Sequence, residues 1–455
     1  MSEHQTSLNF RENAAAAVQN DSLRAAMRNA ADTFGTRRAA AFSAIPDLEA
    51  LRDRASEIRL KVLDNLPAYL EEFSVNATRA GATVHRAGDA AAAREMILAL
   101  LKERGVRMAA KGKSMISEEI GLNAHLQAAG IEVVETDLGE YIIQLEGETP
   151  SHIIVPAIHK NRQQVGKLFA ERLGVPYSED PQVLTKIARK VMRGKFMSAD
   201  AGISGANFAI AESGSLVLFT NEGNGRMVTS VPPLHIALIS VEKLLPSLAD
   251  LPTFIRLLPR SATGQAITSY LSLITGTRKD GEATGARELH IVILDNGRSE
   301  ILAGECREML KCIRCGACMN VCPVYRTAGG HAYGWTYPGP MGMVLTTLLT
   351  GMKKSYPLVD ASTLCGACVE VCPVRIPLVP LILKLREQKV REGFSDTKER
   401  LGMRFFGAAV TTPELFYWGE RVSRLFWPLI RKLGGKNVAG RLPEPSGKPF
   451  HRRMP

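Results

Sequence analysis

Seven of the eight cysteines of this 455-residue chain fall into two short runs near its C-terminal third. The first holds Cys312, Cys315, Cys318 and Cys322, with Pro323 next. The second holds Cys365, Cys368 and Cys372, with Pro373 next. The first run has the C-x2-C-x2-C-x3-C-P spacing of proteins that carry two iron–sulfur clusters. Two-residue spacers let one loop wrap three thiolates around one cubane, and the fourth cysteine points at the other cluster. The following proline removes a backbone donor and turns the chain away. Paired cysteine motifs also build zinc sites, but zinc knuckles need neither a four-cysteine run nor the Cys-Pro endings. The crosswise rule gives Cys312, Cys315, Cys318 and Cys372 to the first cluster. It gives Cys322, Cys365 and Cys368 to the second, which is one thiolate short. A full run would place a cysteine at Ser362. The cofactors expected are therefore two [4Fe–4S] clusters, with three readings of the second. It is a [3Fe–4S] cluster, or a [4Fe–4S] cluster with an open or non-cysteine iron site, or it takes a ligand from Cys306, whose plainer reading is a small buried residue.

The length suits two or three domains. No stretch reaches the roughly 18 uncharged apolar residues of a membrane span, and the first residues lack the basic-then-apolar order of a signal peptide. Thiolate clusters then imply a reducing, cytoplasmic compartment. The formal net charge is +11, and residues 401–455 hold ten basic against three acidic side chains. No nucleic-acid motif accompanies this charge. A partner subunit, or peripheral contact with the inner face of a membrane, is the better match for a basic surface.

Residues 1–75 read as helices, with Leu60, Leu63, Leu66 and Leu70 at helical spacing and Pro67 as a kink or break. From 76 to 298 strands and helices alternate, which argues for an α/β domain with a mostly parallel sheet. Strands are expected at 82–85, 106–110, 131–134, 152–155, 208–211, 215–219, 235–239 and 290–294. Helices are expected over 90–103 and from Ser117. Residues 299–395 read as an all-helical, two-cluster ferredoxin-type domain with helices at 343–352 and 378–392. This resembles the iron–sulfur subunits of succinate dehydrogenase and heterodisulfide reductase. Residues 396–455 form a basic, aromatic segment. It has a helix over 413–433, in which Phe416, Phe426, Trp427 and Ile430 share one stripe, and then a Gly/Pro-rich tail.

Polar clusters at strand ends mark the α/β domain, where open sheets bind ligands. Candidate ligand-binding residues are Glu135, Asp137, His152, Asn221, Glu222, Asn224 and Arg226. The glycines at 223 and 225 free the backbone, and Arg226 is suited to grip an anion in bidentate fashion. The plainer readings are solvated acids, a structural histidine and a polar turn. Neither G-x-G-x-x-G nor a P-loop occurs, so no nucleotide fingerprint is present.

Residues 135–145 (ETDLGEYIIQL), 150–160 (PSHIIVPAIHK), 205–214 (GANFAIAESG) and 220–226 (TNEGNGR) are similar to segments of the lactate utilisation protein B family. So are CIRCGAC at 312–318 and STLCGAC at 362–368. The match covers roughly residues 60 to 430. The resemblance implies a three-component bacterial system that oxidises L-lactate to pyruvate, in which this subunit carries electrons through two [4Fe–4S] clusters. It implies other subunits of that system and a downstream electron acceptor as partners. It also implies an α/β domain related in fold to sugar-phosphate isomerases and CoA transferases. The family's cluster ligands map onto the same seven cysteines. The residues themselves encode no substrate, so a second reading stays open: an oxidoreductase whose own α/β domain binds the small carboxylate.

Overall fold

Short β-branched and leucine-rich runs, bounded by glycines and polar turns, form ten strands in the α/β part. They are β1 (Thr83–Ala87), β2 (Met108–Lys111), β3 (Glu132–Glu135), β4 (Ala201–Ser204), β5 (Phe208–Ile210), β6 (Ser215–Thr220), β7 (Leu234–Ser240), β8 (Leu244–Leu245), β9 (Tyr270–Ile274) and β10 (Glu288–Leu294). The computed structural model describes residues 6–433. Six strands make a wholly parallel sheet in the order β1-β10-β7-β4-β2-β3. The central strand β7 pairs Ile236 with His290 on one side and with Ile203 on the other.

Alternation along the buried strands divides two cores. Leu234, Ile236 and Leu238 face one, with Ile97 and Leu101 from helix Ala90–Glu103. Ala237 and Ile239 face the other, with Phe73 and Ala77 from helix Leu66–Arg79. Each fully buried Leu, Ile or Phe contributes about 1.5–3 kcal/mol, so the two faces hold the sheet between helices as a parallel sheet requires.

The structure departs from the sequence reading at three places. A second sheet, β8-β5-β6-β9, has antiparallel β5–β6 and β6–β9 pairs. Residues 152–155 form no strand, because His152 Nδ1 accepts the N–H groups of Ile154 at 2.9 Å and Val155 at 3.1 Å. A side chain that takes these donors leaves none for a ladder. The helix expected from Ser117 starts at Met115, with Ser114 as its cap. As expected, the helical stretch is broken beside Pro67: helix Leu48–Asp64 ends just before it, and Pro67 lies in the first turn of a new helix, Leu66–Arg79, where its missing N–H costs no bond.

Residues up to Gln388 form one compact unit. Within it the N-terminal helix Asp21–Ser43 packs on the helices that follow the first cysteines, Ala317–Val321 and Pro323–Ala328. Arg38 donates to Val371 O at 3.0 Å, and Arg52 donates to Cys372 O at 2.9 Å. Helix Gly339–Thr350 is buried over most of its length. The second unit begins at Lys389. Its helices Thr397–Thr411 and Pro413–Leu433 pack on each other, and Phe405, Trp418 and Leu425 are 79%, 67% and 76% exposed. Among the described residues no helix is long and apolar enough to cross a membrane. The Gly/Pro-rich tail expected at 434–455 lies outside the described residues.

Candidate iron–sulfur centres and an adjoining cavity

The two cysteine loops have the same backbone. Arg314 and Leu364 sit in the left-handed region at φ 58° and 56°, and Gly316 and Gly366 follow at φ 76° and 85°. A side chain on Gly316 would be strained and would meet His152, Ile154 and Met319 at 3.2–3.3 Å. Left-handed turns at non-glycine residues are uncommon. Here they curl each loop so that N–H groups face inward. Arg314 N–H donates to Cys312 Sγ at 3.4 Å, and Leu364 N–H donates to Ser362 Oγ at 3.1 Å. Ser362 thus holds, in the second loop, the place that Cys312 holds in the first.

The thiols fall into two groups. Burial, and then Cys312 and Cys372, push Cys315 up to about 12, against an N–H from Ala317. Cys318 is raised by burial and by Cys312, Cys315 and Cys372. Burial, then Cys322 and Cys365, push Cys368 up to about 12. Ile376 N–H donates to Cys372 Sγ at 3.3 Å. Cys306 is raised by burial, and its charged neighbours are Lys384 and Glu305, so it joins neither group. Converging buried thiols, with N–H donors aimed at sulfur, suit an iron–sulfur cluster: iron supplies the positive charge that lets such thiols ionise, and N–H groups stabilise the sulfurs. Of the seven motif thiols only Cys365 is exposed.

A buried charge network ties the first loop to the sheet. Arg298 bridges Glu119 at 2.6 Å and Glu242 at 2.9 Å, and all three side chains are fully buried. Glu242 also pairs with Arg314 at 3.1 Å. Despite burial, Arg298 and Arg314 hold Glu242 down at about 2. Tyr337 donates to Glu119 at 2.6 Å and lies 5.1 Å beneath the Arg314 guanidinium. Arg59 donates to the carbonyls of Leu244, Glu242, Leu310 and Lys311. Cations paired on two sides suit a site of low polarity better than isolated ones.

Beside this network lies a cavity of about 550 Å³ at the carboxyl ends of β2, β4 and β7. Lys113, Asp137, Asn224 and Lys243 line it from the α/β part, and Arg314 and Tyr337 line it from the cysteine loop and the loop after it. Burial, with Arg314 second, brings Lys243 down to about 7.

Asp137, Asn221, Glu222 and Asn224 all reach this cavity. Asp137 caps helix Leu138–Glu146 through the N–H groups of Gly139 and Glu140. Asn221 is engaged with Gln265 and Ser269. Three of the candidates lie elsewhere. Glu135 is buried against Lys111 at 2.8 Å, which holds the ammonium charged. Arg226 is exposed over the Tyr270 ring at 5.7 Å. His152 meets Asn320 at 3.2 Å, where burial, with Lys113 second, pushes it down to about 3. Lys243, Arg314 and Tyr337 are cavity residues that the sequence does not mark as candidates. The one signal for Lys243 is its place just past the carboxyl end of β7.

Residues 70–294 match the LUD domain, and residues 308–376 match the 4Fe-4S dicluster domain. The chain is 45% identical over 414 residues to Lactate utilization protein B of Bacillus velezensis, covering 90% of this chain and 87% of that protein. It is 45% identical over 402 residues to the uncharacterized electron transport protein YkgF of Escherichia coli, covering 88% and 85%. A DUF162 family protein from Deinococcus radiodurans of known crystal structure aligns to 50% of this chain and 98% of its own, with 15% identity and a TM-score of 0.29. By its extended likeness to the Bacillus protein, and by its two domains in the same chain, this protein belongs to the lactate utilisation protein B family.

Proposed function

We propose that this chain is the iron–sulfur electron-transfer subunit of a multi-protein system that oxidises L-lactate to pyruvate. The observation that carries the reading is the pair of matched loops, with two separate groups of thiols that are buried except for Cys365, in a chain that belongs to this family. Cys312, Cys315, Cys318 and Cys372 would hold one [4Fe–4S] cluster, and Cys322, Cys365 and Cys368 the other, with Ser362 Oγ in place for the fourth iron. When bound, such clusters relay single electrons. Lactate releases two electrons and two protons on becoming pyruvate, so the bond-breaking step belongs with a hydride acceptor, for which this chain carries no fingerprint. The protein's own part is to keep the inner thiols dry, to aim N–H groups at them, and to anchor both loops to the helices around them. Other subunits of the system would deliver the electrons. The exposed apolar residues Phe405, Trp418 and Leu425 and the basic charge of the second unit support docking on such a subunit. A cytoplasmic place fits thiolate ligands.

The test is anaerobic reconstitution with iron and sulfide, followed by electron paramagnetic resonance (EPR) and mixing with the other subunits and L-lactate. Two clusters per chain, reduced only when partners and lactate are both present, are expected. Iron binding without redox-active signals would overturn the reading. Bleaching by lactate without partners would favour the second reading, an oxidoreductase whose own cavity takes the carboxylate.

A further inference from the structure

The cavity and the first cysteine loop share a wall. Arg314 lies between Cys312 and Cys315 in the chain, lines the cavity, and reaches Cys312 Sγ through its own N–H at 3.4 Å. Lys243 lines the same cavity. Its neighbour Glu242 is already taken by Arg298 at 2.9 Å and Arg314 at 3.1 Å. Among the described residues the Lys243 ammonium makes no hydrogen bond or ion pair, and the Asn224 side chain makes no hydrogen bond. The cavity is also acidic at one place. Asp137 and Glu222 line it, but their charge is felt by Lys113, whereas Lys243 feels the charge of Arg314, Glu242, Cys312 and Arg59. The cavity is therefore polarised, with its unmatched cation on the side of the cysteine loop. Between these ends the wall includes Leu138, Ile154, Phe219 and Ile239. Its volume of about 550 Å³ falls in the range of about 300–1,000 Å³ that holds organic ligands.

We infer that this cavity binds an organic anion, a carboxylate- or phosphate-bearing molecule with an apolar body, whose acidic group is held by Lys243 beside the Arg314 loop, and that its occupancy is linked to the oxidation state of the first cluster. The inference rests on the ligand assignment proposed above. The linkage follows from charge. One-electron reduction adds a negative charge on the cysteine side of Arg314, and a bound anion adds one on the cavity side. Across a wall one side chain thick, in surroundings less polar than bulk water, the two repel. Coupling is reciprocal: reduction weakens anion binding, and a bound anion makes the first cluster harder to reduce. A tenfold preference for the oxidised form corresponds to a midpoint lower by 59 mV for one electron.

The experiment uses the full chain with both clusters loaded. Binding of L-lactate, pyruvate and flavin mononucleotide to the oxidised protein is measured by calorimetry. The first cluster is then titrated with dithionite under EPR, with and without each probe. At least one probe is expected to bind, Lys243→Met to weaken it about tenfold, and the bound probe to lower the midpoint of the first cluster without moving the second. Binding of lactate or pyruvate identifies a carboxylate ligand, and binding of the flavin identifies a phosphate-bearing cofactor. Asn224→Leu, which narrows the cavity from the first residue of helix Asn224–Ser230, is expected to weaken the same probe and serves if Lys243→Met does not fold. The inference is overturned if none of the three probes binds, if a folded Lys243→Met (or, where that does not fold, Asn224→Leu) binds as the wild type does, or if the midpoint stays fixed with a probe bound. Failure of the electron-transfer reading shows separately, as missing iron and EPR signal in the wild type, and calorimetry still decides whether the cavity takes an anion.

Discussion

The loop from Cys312 to Cys318 and the loop from Ser362 to Cys368 turn through the same backbone angles, yet they sit in opposite surroundings. In the first, every cysteine is buried. Arg314 is tied to Glu242, Gly316 is pressed against His152 and Ile154, and a cavity opens beside it. In the second, Thr363, Cys365 and Glu370 are exposed, and the loop hangs from Arg386, which donates to Val359 O at 2.7 Å and Ser362 O at 2.8 Å. A buried loop is where a neighbouring charge is felt most. An exposed loop is where a partner protein can come close. The same local code thus serves an inner site that the protein can tune and an outer site that it can present.

The sharpest way to separate the two is to remove one ligand from each. Cys315→Ser and Cys368→Ser should each lose one cluster and abolish electron transfer. Cys315→Ser should also reduce the yield of folded protein, since its loop anchors the buried network. Iron analysis and EPR check both. A variant with full iron content and an unchanged spectrum would sink the ligand assignment.

Ion pairs near the two loops should differ next. Arg298→Met leaves Glu119 and Glu242 buried without their shared cation, a loss of about 3–5 kcal/mol. Arg11 pairs with Asp360, two residues before Ser362, at 3.3 Å, with the Arg11 side chain 74% exposed. Its removal should cost less than about 1 kcal/mol. Denaturant unfolding of both loaded variants measures the difference, and equal losses would mean that the network is not held dry.

Much of this contrast was hidden in the sequence, while the chemistry was plain. Cys-x2-Cys spacing is local, so the two cysteine runs and the place of Ser362 in the second are both legible. The alternation of strands and helices gave the parallel sheet. It did not give the antiparallel pair β5–β6, although the short turn ending at Gly214, φ 66°, is the kind of hairpin signal that marks one. His152 leads an apolar run, and the sequence reads there as the start of a strand. Only the folded chain shows its ring nitrogen capturing two backbone donors. The cavity was least visible. Lys113, Asn224, Lys243, Arg314 and Tyr337 come from five separate stretches, and no periodicity joins residues that only the topology brings together.

His152 gives the inner region a pH response. Burial holds its folded value at about 3, below the ordinary 6.5. The folded protein therefore prefers the neutral ring. The contribution is fully present above pH 6.5 and is lost as pH falls towards 3, at about 1.4 kcal/mol per unit. Between pH 7.5 and 5.5 the wild type should lose about 1.4 kcal/mol more stability than His152→Gln. Parallel losses in the two proteins would show that the ring is not the titrating group.

The finest difference lies in the fourth ligand of each site. The first thiol group has four members and the second three, and Ser362 Oγ accepts from Leu364 N–H as Cys312 Sγ accepts from Arg314 N–H. A hydroxyl binds iron less readily than a thiolate, so the second cluster should release an iron first. Brief exposure to air should produce a [3Fe–4S] signal from it while the first cluster is unchanged. Ser362→Cys completes the motif on an unaltered backbone and should slow that conversion several-fold, and Ser362→Ala should hasten it. Cys306 offers the competing account. It is buried near Lys384 and Glu305 and belongs to neither thiol group. If Cys306→Ala alone gave the [3Fe–4S] signal in anaerobic protein, while Ser362→Ala did not, the fourth ligand would be Cys306, and the likeness of the two loops would be one of backbone only.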